Sequence, residues 1–328
     1  MSQFENLAVV ILAAGLGTRM KSEFPKVLHE AAGRPLVEHV IRAAQRLKPE
    51  KIIVVIGHGA NLMRQRLAHT GVEFVEQKQQ LGTGHALLQC QESLEGFKGQ
   101  VMVLNGDGPL LRFESLKAFA GSQADDTGMS LMICEVENPF GLGRIIRLND
   151  GSVSKIVEEK DASPQEKAMK EVNPGIYLFN SQVFKLAQKL NNQNAAGEYY
   201  ITDLVDIYIK AGFKVNPFKI ADEREVLGVN NRKQLAEIET ILRWRIRDQW
   251  LLSGVTMIDP ASVYIDDEVV LEPDTIIHPN VHLKGKTVIH RGVTIPPNVI
   301  IDNSSINTDR LITPFSVIKD LGPEESKA

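Results

Sequence analysis

The segment Leu12-Ala13-Ala14-Gly15-Leu16-Gly17-Thr18-Arg19-Met20, with Pro25-Lys26 close behind, gathers the groups of this chain best suited to hold a polyphosphate. The apolar run from Leu7 to Leu12 reads as a buried strand that empties into a Gly-bearing turn. Backbone N–H groups in such a turn converge on an anion, because no side chain blocks its approach. Arg19 and Lys26 bring full positive charges to the same anion. Two familiar nucleotide loops are excluded by the spacing. Met20 stands where a dinucleotide fold places its third glycine, and no Gly-Lys-Ser/Thr closes a longer loop. The plainer reading, glycines used only to shape a strand-to-helix turn, does not account for both cations.

Other residues add to the same chemistry. Gly106-Asp107 follows the apolar run Val101–Leu104, and a carboxylate at that point can hold Mg²⁺ between phosphates. Alone, such an Asp is more often a turn or capping residue. Asn230, in Gly228-Val229-Asn230-Asn231-Arg232, offers a second hard oxygen, although an isolated Asn there also suits a helix cap. Gln77 and the turn Leu81-Gly82-Thr83-Gly84-His85 follow another strand; a Gln amide carries one acceptor and two donors, which suits the edge of uracil. His85 has no partner at metal-ligand spacing and reads as a packed or capping residue. Cys90 and Cys134 sit in apolar strings and read as packed thiols.

Alternating elements position these residues. Strand signals at Leu7–Leu12, Ile52–Ile56, Glu73–Gln77 and Val101–Leu104 are separated by helical patterns such as Leu36, Val37, Val40, Ile41, Ala44 and Leu47. Such βα units predict an α/β domain: a Rossmann-like, mostly parallel sheet with helices on both faces and ligands beyond the strands' carboxyl ends. Residues 129–180 are richer in strands and read as a β-insertion folded over the sheet's mouth. A helix over about Tyr199–Ala211, a strand near Phe213–Ile220 and a long amphipathic helix over Arg232–Leu252 follow. The resulting division is an α/β domain over 1–231, a connecting helix over 232–254, and a third part over 255–328.

In that third part the period changes to six. Ile265, Leu271, Ile277, Leu283, Ile289, Ile295 and Ile301 recur at that interval, each followed four residues later by a small or β-branched residue from Val269 to Ser305. This pattern resembles the hexapeptide repeat of left-handed parallel β-helices. It loses phase at Asn307 and predicts a stub of little more than two coils. His278, His282 and His290 in this region read as solvent-facing.

The chain's 328 residues, 43% of them apolar, fit about two domains. A net charge of −4 gives no general basic field for nucleic acid. Two cysteines make no disulfide framework, and no signal or membrane-spanning run stands out, so a cytoplasmic location is expected, with no membrane partner.

The opening motif resembles that of the sugar-1-phosphate nucleotidylyltransferases, its Ala13-Ala14-Gly15 version that of the uridylyl branch. Over residues 7 to about 305 the chain is similar to the bacterial bifunctional N-acetylglucosamine-1-phosphate uridylyltransferase/glucosamine-1-phosphate acetyltransferase family. The stretch Asn191-Asn192 to Gly197-Glu198-Tyr199-Tyr200-Ile201-Thr202-Asp203 fits its N-acetylglucosamine-1-phosphate version. The resemblance implies uridylyl transfer from UTP to that sugar phosphate with Mg²⁺ and no covalent intermediate. It places Leu12, Ala13, Ala14, Gly15, Gln77, Gly82 and Thr83 on the nucleotide, Arg19 on the leaving pyrophosphate, and Lys26 on the α- and sugar phosphates. Asn105, Gly143, Glu158 and Asn173 fall to the sugar, Asp107 and Asn230 to the metal. Family members have an aromatic residue where Asn105 stands, and bulkier or hydroxylated ones for Gly108 and Pro174, which leaves glucose- or N-acetylgalactosamine-1-phosphate as alternative substrates. A non-catalytic nucleotide-sugar sensor is a further alternative. The family's β-helix continues through many more coils that carry acetyl transfer; with the charged tail over 324–328 closing this chain, uridylyl transfer alone is expected. Self-association through the β-helix, as a trimer, is the implied assembly.

Overall fold

The computed structural model describes Phe4, residues 6–124 and residues 127–322; the charged tail over 324–328 lies outside the described residues. Two compact units emerge. The first comprises the described residues up to His29 together with Leu36–Asn231, and the second Glu30–Pro35 together with the described residues from Arg232 on.

The strands of the first unit are β1 (Leu7–Leu12), β2 (Lys51–Ile56), β3 (Glu73–Glu76), β4 (Gln100–Asn105), β5 (Thr127–Glu135), β6 (Gly143–Arg147), β7 (Val153–Val157), β8 (Glu171–Asn173), β9 (Tyr177–Phe179) and β10 (Lys214–Lys219). They form one sheet in the order β3-β2-β1-β4-β9-β5-β8-β6-β7, with β10 beside β5. β3, β2, β1 and β4 are mutually parallel, as crossover helices require. β9 joins antiparallel to β4 and to β5.

The strands after residue 129 therefore extend the sheet instead of covering its mouth. β5 explains why. Its Met129, Leu131 and Ile133 enter one core cluster, and its Met132 and Cys134 enter the other. A strand apolar on both faces belongs inside a sheet that is covered on both sides. Its first half pairs with β9, its last residues with β8.

Helices cover both faces. α1 (Leu36–Gln45), α2 (Ala60–Leu67) and α4 (Phe113–Ala120) pack on Val9, Ile11, Val54 and Met102. On the other face, α3 (Thr83–Leu88), α5 (Val183–Ala187) and α6 (Leu204–Lys210) pack on Ala8, Val10, Ile53 and Val101. The helix expected from about Tyr199 begins later: a 3₁₀ turn spans Ile201–Asp203 before α6. The segment before it is held as extended chain, since the Tyr199 N–H donates to the Leu81 carbonyl at 2.8 Å.

In the second unit, α7 (Arg232–Leu252) leads into short parallel strands stacked on three faces. Tyr264–Ile265, His282–Lys284, Ile300–Asp302 and Val317–Lys319 make up one of these. The repeated column from Ile265 to Ile301 is buried throughout, at no more than 3% exposure, so the period of six marks the inward position of a short β-helix. The repeat does not stop at Asn307. One step is shortened, so that Ser304 and Ile306 take the inward places expected of Ser305 and Asn307, and Val317–Lys319 rejoins the stack. Two of the three histidines are not simply solvated. His282 stacks on Tyr264 at 4.5 Å, and His290 bonds Glu272 at 3.1 Å and Ser305 at 3.0 Å.

Glu30–Pro35, a hairpin nothing in the sequence singles out, belongs to this second unit. The Ala32 N–H donates to Glu239 at 2.6 Å, the Asp267 N–H donates to the Ala32 carbonyl at 3.0 Å, and buried Arg34 pairs with Asp267 at 2.8 Å. Arg247 on α7 donates to the carbonyls of Pro260, Ala261 and Val263, tying the helix to the first coil. Among the described residues, no helix is long and apolar enough to cross a membrane.

Candidate active site

β1 and β4 lie side by side, with Leu12 opposite Asn105, so the turns beyond them share one end of the sheet. The Gly106 N–H donates to the Leu12 carbonyl at 2.9 Å, and the Val229 N–H to the Asp107 carbonyl at 3.0 Å. These two backbone bonds bring the segments around 12, 107 and 230 together. Ala13 and Ala14 are buried, while Gly15 is exposed and a Cβ there would meet no protein atom within 4 Å. Gly17 has φ +62°, and a Cβ on it would sit 2.7 Å from Cβ of Lys26. Only glycine lets the turn take this shape and close onto the Lys26 stem.

The Lys26 ammonium forms an ion pair with Asp107 and donates to Oδ1 of Asn230 at 3.2 Å. Arg19 donates to the same Oδ1 at 2.8 Å. Two cations and two oxygen donors, from four separate segments, thus form one polar cluster beside the Gly-bearing turn. The donor set suits a hard cation: one carboxylate and one amide oxygen, with no group of three or more His, Cys, Asp or Glu side chains able to hold a metal among the described residues. Mg²⁺ is commonly held by one or two protein oxygens while phosphates and water complete its shell.

Gln77, at the end of β3, is 3% exposed and donates to the Gly82 carbonyl at 3.0 Å. Gly82 and Thr83 open α3, and the Thr83 hydroxyl accepts from the Ile201 N–H at 3.0 Å. His85 does more than pack or cap: its Nδ1 lies 2.9 Å from Nε2 of Gln77.

The sugar candidates form a second cluster. Gly143 and Asn173 are opposite one another in the β6–β8 ladder, and Glu158 follows the end of β7, which pairs with β6. A Cβ on Gly143 would lie 3.7 Å from the Glu158 carboxyl group. The Asn173 amide donates to the Tyr177 hydroxyl at 2.6 Å and accepts from the Gly175 N–H at 3.1 Å, which fixes its orientation. Asn105 links the two clusters, because its Nδ2 donates to the Pro174 carbonyl at 2.9 Å.

Burial raises the Glu158 carboxyl above the usual carboxylate range; the Thr202 hydroxyl, donating to it at 3.0 Å, opposes this, and Asp203, Asp161 and Glu198 add to it. Burial likewise raises the Tyr177 phenol, which keeps its proton. A cavity of about 260 Å³ is lined by Glu158, Asp161, Asn194, Tyr200 and Asp203. A larger one, about 590 Å³, lies at the opposite end of the sheet near Asn6 and Gln100, remote from every candidate residue. Chemistry, not volume, identifies the site here.

Three contributors lie in or beside strings that the sequence singles out, Arg144 in Gly141-Leu142-Gly143-Arg144 among them, but their partners are set only by the fold. Thr202 bonds Glu158. Arg144, 1% exposed, donates to the Leu142 carbonyl and pairs with Glu159 at 2.7 Å; Glu159 also accepts from the Gly141 N–H, so the pair clamps the turn before Gly143. His85 bonds Gln77. The resemblance of the Gly141-Leu142-Gly143-Arg144 string is the signal for Arg144, and that of the 197–203 string the signal for Thr202.

A family profile described as "MobA-like NTP transferase domain" matches residues 9–194. The chain is 44% identical over 306 residues to the protein "Bifunctional protein GlmU" of Streptococcus agalactiae, covering 93% of this chain and 66% of that protein. For the protein of the same name in Geobacter metallireducens, identity is 44% over 304 residues, covering 92% and 64%. For that of Streptococcus gordonii it is 43% over 319 residues, covering 97% and 68%. The chain thus spans about two thirds of the length of these relatives. A crystal structure described as a glucose-1-phosphate thymidylyltransferase from Bacillus anthracis matches with a TM-score of 0.56 at 21% identity, over 72% of this chain and 94% of that one, a likeness of fold.

Proposed function

The chain belongs to the GlmU-like family and to that of the MobA-like NTP transferase domains, and on that premise we propose that it transfers the uridylyl group of UTP to N-acetylglucosamine-1-phosphate. The observation that carries the reading is the cluster of Lys26, Arg19, Asp107 and Asn230 beside an open Gly-bearing turn. A sensor has no need for leaving-group cations and metal-type oxygens in one place.

The Lys26 ammonium and the Arg19 guanidinium exchange protein oxygens for phosphate oxygens when a triphosphate enters among them. Asp107 and Asn230 would hold Mg²⁺, which when bound supplies neutralising charge to the phosphates. The sugar phosphate is already an anion, so no general base is required. Its oxygen forms a bond to the α-phosphorus as the bond from that phosphorus to the β-phosphate oxygen breaks, and the electron pair leaves with pyrophosphate. Lys26 balances charge at the entering side and Arg19 at the leaving side. Cys90 and Cys134 are buried, and burial holds both thiols up, Cys134 at about 11, so neither offers a thiolate to carry the uridylyl group. Glu158 and Asn173 accept and donate to sugar hydroxyl and acetamido groups, and Gly143 leaves room for them.

A second reading keeps the chemistry and changes the sugar. The Asn105 amide, bonded to Pro174, stands where the resemblance expects an aromatic side chain. Association into a trimer through the β-helix unit belongs to the same proposal, and sedimentation of the full chain reads it.

The test is pyrophosphate release from UTP with N-acetylglucosamine-1-phosphate, glucosamine-1-phosphate or glucose-1-phosphate, with Mg²⁺ and with EDTA. Mg²⁺-dependent release led by N-acetylglucosamine-1-phosphate is expected. Preference for another sugar selects the second reading, and no release with any sugar rejects both.

A further inference from the structure

Gln77 is nearly sealed from solvent, and its amide is already engaged on one side. Nε2 donates to the Gly82 carbonyl at 3.0 Å and to Nδ1 of His85 at 2.9 Å. A primary amide has two N–H donors, so both are used. Its oxygen, Oε1, accepts from no described residue and is not among the fully buried, unpartnered atoms, so it keeps some contact with solvent. His85 accepts at Nδ1 with its proton on Nε2, and its backbone is steadied by the Gln89 amide four residues on, which donates to the His85 main-chain carbonyl at 3.1 Å. The whole turn is fastened by Gly84 N–H donation to the Tyr199 carbonyl at 2.8 Å.

We propose that His85 is a positioning residue for base selectivity, holding the Gln77 amide so that only its acceptor oxygen meets the pyrimidine of the bound nucleotide. This rests on the reading of the site as one for a pyrimidine nucleoside triphosphate. Uracil carries a donor at N3 and pairs with that oxygen. Cytosine carries a lone pair at N3 and meets repulsion instead. With its amide free to turn over, a glutamine would serve either base equally well, because its two ends are nearly the same size and of opposite polarity. His85 and the Gly82 carbonyl remove that freedom. An acceptor at both N–H positions leaves one orientation without an unpartnered buried donor, and such a donor is costly. His85 acts through Gln77 and touches no reacting atom.

The experiment measures equilibrium binding of UTP, CTP and dTTP to the full chain by calorimetry, for the wild type, His85→Leu and His85→Asn. The wild type is expected to bind UTP at least about tenfold more tightly than CTP, on the scale of one hydrogen bond gained against one refused. His85→Leu releases one amide donor and should reduce that ratio several-fold. In His85→Asn the side-chain oxygen stands near the former Nδ1 and should keep the ratio close to that of the wild type, which also covers the case in which the leucine variant misfolds. The UTP-to-dTTP ratio should stay unchanged in every variant, since both bases carry an N3 donor. A wild type that does not discriminate, a folded His85→Leu that keeps full discrimination, an asparagine variant that loses it, or a shifted dTTP ratio each overturns the proposal. Binding is read apart from turnover: selective binding without pyrophosphate release would reject the reaction above and leave the role of His85 standing.

Discussion

Thr202→Val isolates one hydrogen bond whose loss has a sign fixed by pH. Thr202 is 3% exposed, and valine has its shape, so packing is preserved while the hydroxyl that donates to Glu158 at 3.0 Å is removed. Burial already raises the Glu158 carboxyl, and Thr202 is the first group opposing that rise. A hydrogen bond to a buried charged group contributes roughly 1.5–3 kcal/mol. About 2 kcal/mol lost from a unit of this size corresponds to roughly 4–8 °C in Tm. The loss depends on protonation. A carboxyl whose folded pKa is raised favours the folded state at low pH, and this contribution disappears as pH rises through the folded pKa. Without the Thr202 donor the folded pKa moves further up, so the deficit against wild type is largest at pH 7–8 and shrinks toward pH 4. Thermal unfolding of both proteins across that range measures it. On the functional reading, KM for the sugar phosphate also rises, about tenfold at neutral pH, with a smaller change in kcat. An equal deficit at pH 4 and pH 8 would refute the argument, since it would mark a packing defect in place of a lost bond to a charge.

Further outcomes are equally definite. Arg19→Ala should lower turnover roughly 10³-fold, in line with other phosphate-stabilising arginines, and a loss under tenfold removes Arg19 from the leaving group. Asp107→Asn keeps the shape but loses the charge; the Mg²⁺ concentration giving half-maximal rate should rise roughly tenfold or more, and an unchanged value would take Asp107 out of the metal site. Gly17→Ala places a Cβ against Lys26 at a positive φ, costing about 1–2 kcal/mol in denaturant unfolding and displacing the ammonium, so kcat should fall more than KM rises. In the β-helix, Ile289→Ala removes a fully buried side chain from the inward column and should destabilise that unit by about 2–5 kcal/mol, which urea unfolding monitored by tryptophan fluorescence reads.

The amino-acid sequence alone determined what is local. The apolar run Leu7–Leu12, the glycines of the following turn and the 21-residue helix Arg232–Leu252 follow from side-chain type and period, because burial and backbone sterics act on near neighbours. The inward column of the β-helix is equally legible, since each coil repeats the same demand for an apolar residue at one place. Tertiary structure decided what depends on distant partners. That β5 lies inside the sheet is settled by cores on both its faces, and that Glu30–Pro35 joins the second unit is settled by Glu239 and Asp267, some two hundred positions away. The site divides along the same line. Arg19, Lys26, Asp107 and Asn230 are recognisable as types, but only folding brings Asn230 within reach of both cations. Thr202, Arg144 and His85 lie within or beside recognisable strings, but their roles are not legible there, because a hydroxyl, a guanidinium or an imidazole becomes a positioning group only when the fold sets a carboxylate or an amide beside it.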